Sequence, residues 1–534
     1  MGFAPFSQPL AGWLALIPLA YYGVRERPDL RQSFGLGWFA GATHFLTTFS
    51  WLTSVTVAGW FVLCLYMAIY PALWFVLWVR FAGRDGEPMT SAGNIRHAVL
   101  GASAWVLTEW LRGIVFSGFG WNELGVSQGN LLLLAQIADL GGVPLLSWVV
   151  AFGGLTLTLT VRRFELEIRG AQKWKPRWDF TAGVFVLGMT MVYGARTVLH
   201  PTEKGVSTLS YAAIQPAVPQ DPWRSAGITK VAEELTKGSE IALAQSGPVD
   251  LLVWPESLAG TGWREEPEFQ KAIQNARHMG ARSLLTGSLD IRGPETFNSA
   301  ILFTGPEGRS PQVYDKNHLV IMGEYVPLAG VFPWLRKLVP PGGDLTAGKN
   351  IGILELDGSG VKIAPLICFE DSVPEVVRRA AGQLPHLLVN LTNDAWFGKS
   401  AGAKQHLENA RFRAIETRLP LLRATNDGVT ALISPKGVIL EHVWDRELKS
   451  YQRAGFIAGE ISFSEPKFTL YTQWGDWVVG LSAFFVFLGL IWTRSMRGGA
   501  LLVGLLELGI AAGRNPGGLF GSTLRHFIRI PKME

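Results

Sequence analysis

Long apolar runs recur in the first 200 residues of this chain and once more near residue 480. They restrict its fold more than any other feature. An α-helix needs about 20 predominantly apolar residues to cross a bilayer. Seven runs come close to that length: 5–22, 34–53, 56–79, 97–113, 143–161, 180–198 and 474–493. The first run is short and contains Pro18. Because a backbone in lipid must satisfy its hydrogen bonds internally, we predict a polytopic α-helical membrane protein.

The composition agrees with a membrane protein rather than a nucleic-acid binder. The chain is 48% hydrophobic and 17% charged, and it contains 21 Trp and 30 Phe, which fits aromatic belts at two membrane interfaces. The net charge of +5 could suggest a nucleic-acid partner. However, the basic residues lie in short loops between apolar runs, so no nucleic acid is expected.

The distribution of Lys and Arg predicts the orientation of the chain. Basic residues follow the first, third, fifth and seventh runs: Arg25, Arg27, Arg31, Arg80, Arg84, Arg96, Arg162, Arg163, Arg169, Lys173, Lys175, Arg177, Arg494 and Arg497. Connections 54–55 and 114–130 contain neither residue type. The positive-inside rule places basic loops in the cytoplasm. Segment 199–473 is then expected on the periplasmic side of a bacterial inner membrane. The same alternation leaves Met1 outside, and we therefore expect a native start upstream with one more helix.

Segment 199–473 has a different character, because strand-like and helix-like patterns alternate along it. The predicted strands are 209–215, 250–256, 283–290, 299–305, 362–369, 386–394, 421–427 and 431–435, and the predicted helices are 233–245, 268–279 and 404–418. Such alternation favours a layered α/β domain. The predicted organisation is about six helices in 1–198, this domain in 199–473, a final span in 474–494 and a tail, 495–534, to which no role is assigned.

Three residues with complementary chemistry end strand-like runs of this domain. Glu256 follows LLVWP, Lys316 lies in YDKNHLV, and Cys368 follows KIAPLI. A thiol can carry an acyl group, a carboxylate can accept its proton, and a nearby ammonium can lower the thiol pKa and stabilise an oxyanion. The other cysteine, Cys64, lies in an apolar run and is interpreted as packing.

Each of these residues also has an ordinary structural interpretation. Cys368 could be a buried small side chain, and Glu256 and Lys316 could be solvated surface charges. His318 and His406 are rival bases, since Cys–His arrangements are common in cysteine enzymes. No Cys/His cluster has metal-ligand spacing, and no dinucleotide or phosphate-loop fingerprint occurs, so neither a metal nor a cofactor is expected.

Four motifs, in order, resemble the nitrilase superfamily: WPE, YDKNHLVIMGEYVPL, ICFED and NLTNDAWFG. That superfamily has an αββα sandwich with a Glu-Lys-Cys triad. The position of these motifs between membrane spans, together with SGFGWNELGVSQ and QHLENARFRAIE, resembles the apolipoprotein N-acyltransferase family up to about residue 494. The resemblance implies a polytopic membrane protein with an inserted nitrilase-like domain.

The resemblance also implies residue roles. Glu256 would be the general base, Lys316 the oxyanion-stabilising cation and Cys368 the nucleophile. Supporting and substrate-cleft residues would be Glu324, Glu370, Trp223, Trp396 and Asn298. The chain departs from the family in three respects: Phe369 stands where a tyrosine often follows the nucleophile, the family's additional N-terminal helix is missing before MGFAPF, and the tail after 494 has no counterpart.

The family reaction implies lipid substrates and no cofactor. The sn-1 acyl chain of a phospholipid, typically phosphatidylethanolamine, would move to the cysteine as a thioester. It would then pass to the α-amino group of the diacylglyceryl-cysteine of an apolipoprotein. We expect a monomer. Two alternatives remain from the sequence: a membrane-anchored amidohydrolase with the same triad, and a non-enzymatic membrane scaffold. Intact triad residues argue against the scaffold.

An aromatic and basic segment, 331–348, follows the lysine motif. It contains Phe332, Trp334 and Leu335 beside Arg336 and Lys337, and then Pro-Pro-Gly-Gly. We predict a lid that dips into the membrane interface near the active site, with Trp334 contacting substrate. An ordinary surface loop with packed aromatics is the alternative.

Overall fold

The computed structural model describes residues 1–494 except 84–87, 201–206, 220–226, 257–261, 306–310, 328, 330, 335–343 and 446–449. The amino-terminal region is helical. Its helices are α1 (Pro9–Leu14), α2 (Ile17–Glu26), α3 (Leu30–Thr48), α4 (Val57–Met67), α5 (Ile69–Phe81), α6 (Ser91–Ile114), α7 (Leu132–Ala135), α8 (Ala138–Ile168) and α9 (Trp178–Leu199). The predicted tail, 495–534, lies outside the described residues.

Among the described residues, five helices are long and apolar enough to cross a membrane. They are Val57–Phe81, Ser91–Ser117, Ala138–Ile168, Trp178–Leu199 and Trp477–Arg494. Two other predicted spans have a different form. Run 5–22 divides into α1 and the first part of α2, which has Pro18 in its first turn. Run 34–53 begins inside the 19-residue helix α3 and ends in a 3₁₀ turn over Ser50–Ser54.

Helix α8 is the centre of the bundle, whereas α9 lies at its periphery. About two thirds of the apolar window of α8 is buried by protein, against 11% for α9. Two fully buried tryptophans fill the space beside α6: the Nε1–H of Trp74 donates to the Gly101 carbonyl at 3.0 Å, and that of Trp78 donates to the Ala20 carbonyl at 3.0 Å. Each buried indole thus has a hydrogen-bond partner, as burial of a polar atom requires. Cys64 is also fully buried, which agrees with its interpretation as packing.

Two six-stranded sheets form the centre of the second region. The strands are β1 (Ser207–Gln215), β2 (Val249–Val253), β3 (Ala281–Arg292), β4 (Glu295–Phe303), β5 (Gln312–Asp315), β6 (Leu354–Glu355), β7 (Lys362–Ile367), β8 (Leu387–Thr392), β9 (Leu421–Thr425), β10 (Ala431–Ile433), β11 (Ile439–His442) and β12 (Gly455–Phe463). Their orders are β12-β1-β2-β3-β4-β5 and β11-β10-β9-β8-β7-β6. Strands β1, β2 and β3 are parallel in the first sheet, and β7, β8 and β9 are parallel in the second.

Helices cover the outer faces of the two sheets: α10 (Ile228–Ser246), α11 (Pro267–His278), α12 (Pro374–Ala381) and α13 (Gly402–Thr417). Alternate side chains of each strand point to opposite faces. In β1, Leu209 and Tyr211 join the core between the sheets, while Ala212 and Ile214 join the core beneath α10 and α11. A third core lies between the second sheet and α12 and α13. This is the predicted αββα sandwich, inserted before the last candidate span.

All eight predicted strands and all three predicted helices of this domain are present. Strands β5, β6, β11 and β12 and helix α12 were not predicted. Chain segment 464–476, which includes α14 (Leu470–Trp474), leads from β12 to the final helix, α15 (Trp477–Arg494).

Candidate active site

The three triad residues meet at one end of the sandwich because each follows the end of a strand. Glu256 comes shortly after β2, Lys316 directly after β5 and Cys368 directly after β7. The Lys316 ammonium lies 3.8 Å from Glu256 Oε1 and 2.8 Å from Glu324 Oε1. The Glu256 carboxylate also accepts a hydrogen bond from the Cys368 thiol. The Lys316 ammonium and the Cys368 thiol thus both contact the Glu256 carboxylate.

Asn298 on β4 joins the two carboxylates of the site. Its Nδ2 donates to Glu256 Oε1 at 2.9 Å and to Glu324 Oε1 at 3.0 Å. Its backbone carbonyl accepts from the Lys316 N–H at 2.8 Å. Glu324 is itself fixed by the Val320 N–H, which donates to its Oε2 at 2.8 Å. The structure therefore places Asn298 against Glu256 and Glu324 against Lys316.

Cys368 sits on a strained turn. Its φ is +51°, in the left-handed region that residues other than glycine rarely adopt. Two side chains hold the turn: Asn390 Nδ2 donates to the Cys368 carbonyl at 3.1 Å, and the Ile367 N–H donates to Glu370 Oε2 at 2.9 Å. A 3₁₀ turn over Cys368–Ser372 follows. This geometry lifts a half-buried thiol off the end of β7, toward the site.

The Glu370 side chain is completely buried next to the turn that begins at Cys368. Its carboxylate accepts from the Tyr314 hydroxyl at 2.9 Å and from the N–H groups of Asn317 at 2.7 Å and His318 at 3.1 Å. Burial raises the pKa of Glu370 to about 6, although these backbone donors and Lys316 oppose the shift. Glu370 therefore ties the nucleophile turn to the lysine loop. It acts through these backbone contacts rather than at the reacting atoms.

Charge and burial set the resting protonation of the triad. Burial raises the pKa of Glu256, with Glu324 adding to the effect and Lys316 opposing it. Burial would lower the pKa of Lys316, but Glu324, Cys368 and Glu256 outweigh it and raise that pKa, so the ammonium is retained. The pKa of Cys368 is raised, first by burial and then by the Glu256 charge; Lys316 offsets this only in part.

The expectation of a lowered thiol pKa is therefore wrong for the resting site. The cation adjacent to the thiol is shared with two carboxylates, and a buried thiolate has a high desolvation cost. Burial and the Glu256 charge therefore favour the protonated thiol, which hydrogen-bonds Glu256.

The site adjoins the helical bundle through a set of stacked aromatic rings. Phe369, next to the nucleophile, stacks on Phe119 and Trp121 with ring centroids 5.8 and 5.9 Å apart. Ser117 and Tyr325 share a hydroxyl–hydroxyl hydrogen bond of 2.5 Å nearby. Segment 115–137 joins α6 to α8 and carries no Lys or Arg. Cys368 thus lies beside the segment that joins α6 to α8.

The remaining predicted residues have different positions. Trp396 is half-buried in the turn that follows β8, at the same strand end as Cys368. Trp334 is 58% exposed. Trp223 and half of the predicted lid, 335–343, lie outside the described residues.

His318 and His406, the two alternative bases, contact other groups of the domain. The ring of His318 packs 5.9 Å from that of Phe369, and burial, then Lys316, lowers its pKa. Both ring nitrogens of His406 face carboxylates rather than the thiol.

Sequence reasoning missed a group of buried polar residues behind the nucleophile: Asp371, Thr392, Asp394 and Arg423. The Thr392 hydroxyl hydrogen-bonds the Cys368 thiol. Arg423 Nη1 donates to Asp371 Oδ2 at 2.6 Å, and all three charged residues are 0% exposed. The available signal was position: Asp371 lies three residues after Cys368, and Asp394 follows a strand end. Individually, such charges resemble solvated loop residues.

Two family models match the chain. The apolipoprotein N-acyltransferase N-terminal domain matches residues 1–156, and the carbon-nitrogen hydrolase domain matches residues 211–451. Proteins named apolipoprotein N-acyltransferase match almost end to end. The one from Geobacter metallireducens is 33% identical over 492 residues, which are 89% of this chain and 88% of the relative. The one from Nitrosomonas europaea is 32% identical and covers 92% and 93%.

Solved structures that resemble this chain cover about half of it. Saccharomyces cerevisiae Nit3 is 15% identical with a TM-score of 0.37, and it covers 49% of this chain and 93% of its own. A variant amidase from Nesterenkonia sp. AN1 is 16% identical with a TM-score of 0.35, over 50% and 93%.

Proposed function

The chain belongs to the apolipoprotein N-acyltransferase family, and we propose that it moves a phospholipid acyl chain, through a thioester on Cys368, to the amino terminus of a lipoprotein. The observation that carries this proposal is that the Cys368 thiol and the Lys316 ammonium both contact the Glu256 carboxylate, beside rings of a membrane-spanning bundle. Small soluble amides would not require a nucleophile beside membrane helices, whereas a lipid donor does.

In the first half-reaction the thiol proton passes to Glu256 as the sulfur attacks the sn-1 ester carbonyl of the donor. The carbonyl oxygen becomes negative, and the Lys316 ammonium stabilises it. The ester C–O bond then breaks, and the lysophospholipid oxygen takes the proton from Glu256. The thioester divides one difficult transfer into two easier ones. We propose a phosphatidylethanolamine-like donor on the strength of the sequence resemblance.

In the second half-reaction the α-amino group of the diacylglyceryl-cysteine attacks the thioester. Glu256 accepts a proton from the amine, the C–S bond breaks, and the sulfur recovers that proton. An α-amine has a pKa of about 8, so a useful fraction is neutral near pH 7. The same three residues therefore serve both steps. The sulfur gives a proton to Glu256 in the first half-reaction and receives one from Glu256 in the second.

The arrangement of the chain in the membrane is part of the proposal. Residues 1–198 would form the amino-terminal bundle, 199–473 the periplasmic catalytic domain and 474–494 the final span in a bacterial inner membrane. The site beside segment 115–137, which lacks Lys and Arg, supports this orientation. We propose a monomer, because Glu256, Lys316 and Cys368 all come from one chain. No role is proposed for 495–534.

Substrate contacts are proposed for four further residues. Asn298 contacts Glu256, Trp396 lies in the turn that follows β8, and Trp223 is retained from the resemblance. Trp334 has a different position: its exposed ring, with the neighbouring Phe332 at 46% exposure, suits insertion into the membrane interface.

Replacing Trp334 by Asp is expected to slow acylation from phospholipid vesicles by about tenfold, since a charge makes insertion of this segment into the interface about 1.4 kcal/mol less favourable. Alkylation of Cys368 by iodoacetamide should remain unchanged, because the triad is intact. Trp444→Asp is the matched control, as Trp444 is 39% exposed and follows β11. Unaltered vesicle acylation in the Trp334 variant would refute the insertion role.

The proposed function is tested by transfer from a phospholipid labelled in its sn-1 chain. The acceptors are a synthetic diacylglyceryl-cysteine peptide and the same peptide with an acetylated amino terminus. We expect label on the free amine of the first peptide and none on the second. Release of free fatty acid at the same rate with either peptide would instead identify a hydrolase.

A further inference from the structure

Two neighbouring residues of α13 connect the nucleophile turn with the helical bundle. His406 faces the catalytic side and Gln405 faces the bundle. Both are 1% exposed. Neither touches the reacting atoms of the proposed mechanism, yet each makes an unusual number of specific contacts for a buried polar side chain.

His406 lies between two carboxylates of the site. Its Nε2 is 2.8 Å from Asp371 Oδ1, and its Nδ1 is 2.7 Å from Asp394 Oδ1. An ionised carboxylate only accepts hydrogen bonds, so both ring nitrogens must carry protons. The side chain is therefore an imidazolium. Burial opposes this charge, but Asp371 and Asp394 outweigh it and raise the pKa of His406 to about 9.

Arg423 completes a closed group of two anions and two cations. It contacts Asp371 Oδ2 at 2.6 Å and Asp394 Oδ2 at 3.4 Å. Asp371 belongs to the 3₁₀ turn that begins with Cys368, and Asp394 begins the turn that carries Trp396. The group thus joins the two turns that follow the carboxyl ends of β7 and β8 in the second sheet. Loss of one cation would leave the two buried carboxylates to share a single positive charge.

Gln405 connects the same helix with separate segments of the bundle. Its Oε1 accepts from Trp51 Nε1 at 3.0 Å, Trp121 Nε1 at 2.9 Å and Asn122 Nδ2 at 3.0 Å. Its Nε2 donates to the carbonyls of Ala4 at 2.9 Å and Thr48 at 3.1 Å.

One ring belongs to both sets of contacts. Trp121, bonded to Gln405, lies with its ring centroid 5.2 Å from that of His406 and stacks on Phe369. Direct contacts of Trp121 therefore connect the bundle with the turn that begins at Cys368.

We propose that Gln405 and His406 are positioning residues that hold the Cys368 turn in register with the membrane end of the bundle, where the lipid donor arrives. His406 acts through Asp371 and Asp394, and Gln405 acts through α13 and Trp121. This inference rests on the proposed role of Cys368 as the acyl-carrying nucleophile.

The test compares three single variants, His406→Gln, Gln405→Leu and Lys404→Gln, in the full chain purified in detergent. Lys404 is an exposed neighbour on the same helix and is the matched control. Two rates are measured for each: alkylation of Cys368 by iodoacetamide, and acylation of Cys368 from phosphatidylethanolamine in mixed micelles. Thermal midpoints verify that each variant is folded.

His406→Gln should slow both reactions by up to about 10²-fold, the effect of misplacing a reacting group by about 1 Å. Gln405→Leu should slow acylation from lipid by about tenfold and leave alkylation within about twofold, because the triad itself is intact but its register with the bundle is lost. Lys404→Gln should alter neither rate.

A double variant separates charge from packing. His406→Gln with Asp371→Asn restores neutrality, since Arg423 then faces Asp394 alone. We expect it to acylate about tenfold faster than either single variant, a coupling typical of contacting residues. A double variant that acylates no faster than His406→Gln or Asp371→Asn alone would overturn the claim that His406 acts through its charge. Equal losses of the alkylation and acylation rates in Gln405→Leu would overturn the claim that Gln405 sets the position of the Cys368 turn relative to the bundle. If wild type itself formed no acyl-enzyme, the proposed function would fail first.

Discussion

Replacing Glu256 by Gln is expected to slow acylation of Cys368 by about 10²- to 10⁴-fold, the usual contribution of a general base. The amide oxygen can still accept from Asn298, so the arrangement of the site is retained. It cannot take the thiol proton, and the raised pKa of Cys368 means that little thiolate forms unaided. Single-turnover acylation from phosphatidylethanolamine, followed by mass spectrometry, measures the loss. Glu265→Gln, an exposed glutamate nearby, is the control.

The pH dependence gives a second measure of the same base. Glu256 acts only when it is ionised, and its pKa lies above the ordinary glutamate value because of burial. The rate of Cys368 alkylation should therefore fall as the pH drops through that raised pKa, at a higher pH than for an exposed glutamate. The Gln variant should lack this acid limb. An identical limb in both proteins, or a wild-type rate in the variant, would contradict the assignment.

Replacing Lys316 by Met should impair both activity and stability. It removes the charge that faces the developing oxyanion, a loss of about 10²- to 10³-fold in rate. It also leaves the buried carboxylate of Glu256 and the half-buried carboxylate of Glu324 without this cation, and breaking a buried pair costs about 3–5 kcal/mol. Thermal unfolding in detergent micelles and single-turnover acylation report the two effects separately.

A compensating change distinguishes these two effects. Lys316→Met combined with Glu324→Gln removes one of the two unpaired charges, so the midpoint of unfolding should recover in part. Acylation should stay low, because no cation faces the oxyanion. Recovery of acylation together with stability would mean that Lys316 is structural and that another group stabilises the oxyanion.

Much of this architecture could be predicted from the sequence, because its signals are local. Strands β7 and β8 are buried along most of both faces, Cys368 directly follows β7, and Glu256 comes shortly after β2. The sequence pattern that predicts each of these elements lies within about ten residues of that element. Strand β6 has two residues, and β11 is mostly exposed, so neither leaves an apolar run to detect.

The contacts that could not be predicted join residues far apart in the chain. Phe369 stacks on Trp121 across almost 250 positions, and His406 contacts Asp371 from a different layer of the sandwich. In the sequence, His406 was therefore open to interpretation as a rival base. The direction of the Cys368 pKa shift was missed for a related reason: Lys316 lowers it, but burial and Glu256 are visible only in three dimensions.

The central claim is that Cys368 carries the acyl group between donor and acceptor. Its most direct test is intact mass spectrometry of the protein incubated with phosphatidylethanolamine, with Cys368→Ala beside wild type. We predict a fatty-acyl mass increment on wild type alone. A diacylglyceryl-cysteine peptide should discharge it, and the peptide should gain the same mass on its amino terminus. An increment of equal size on Cys368→Ala, or transfer to the peptide by that variant, would contradict the account.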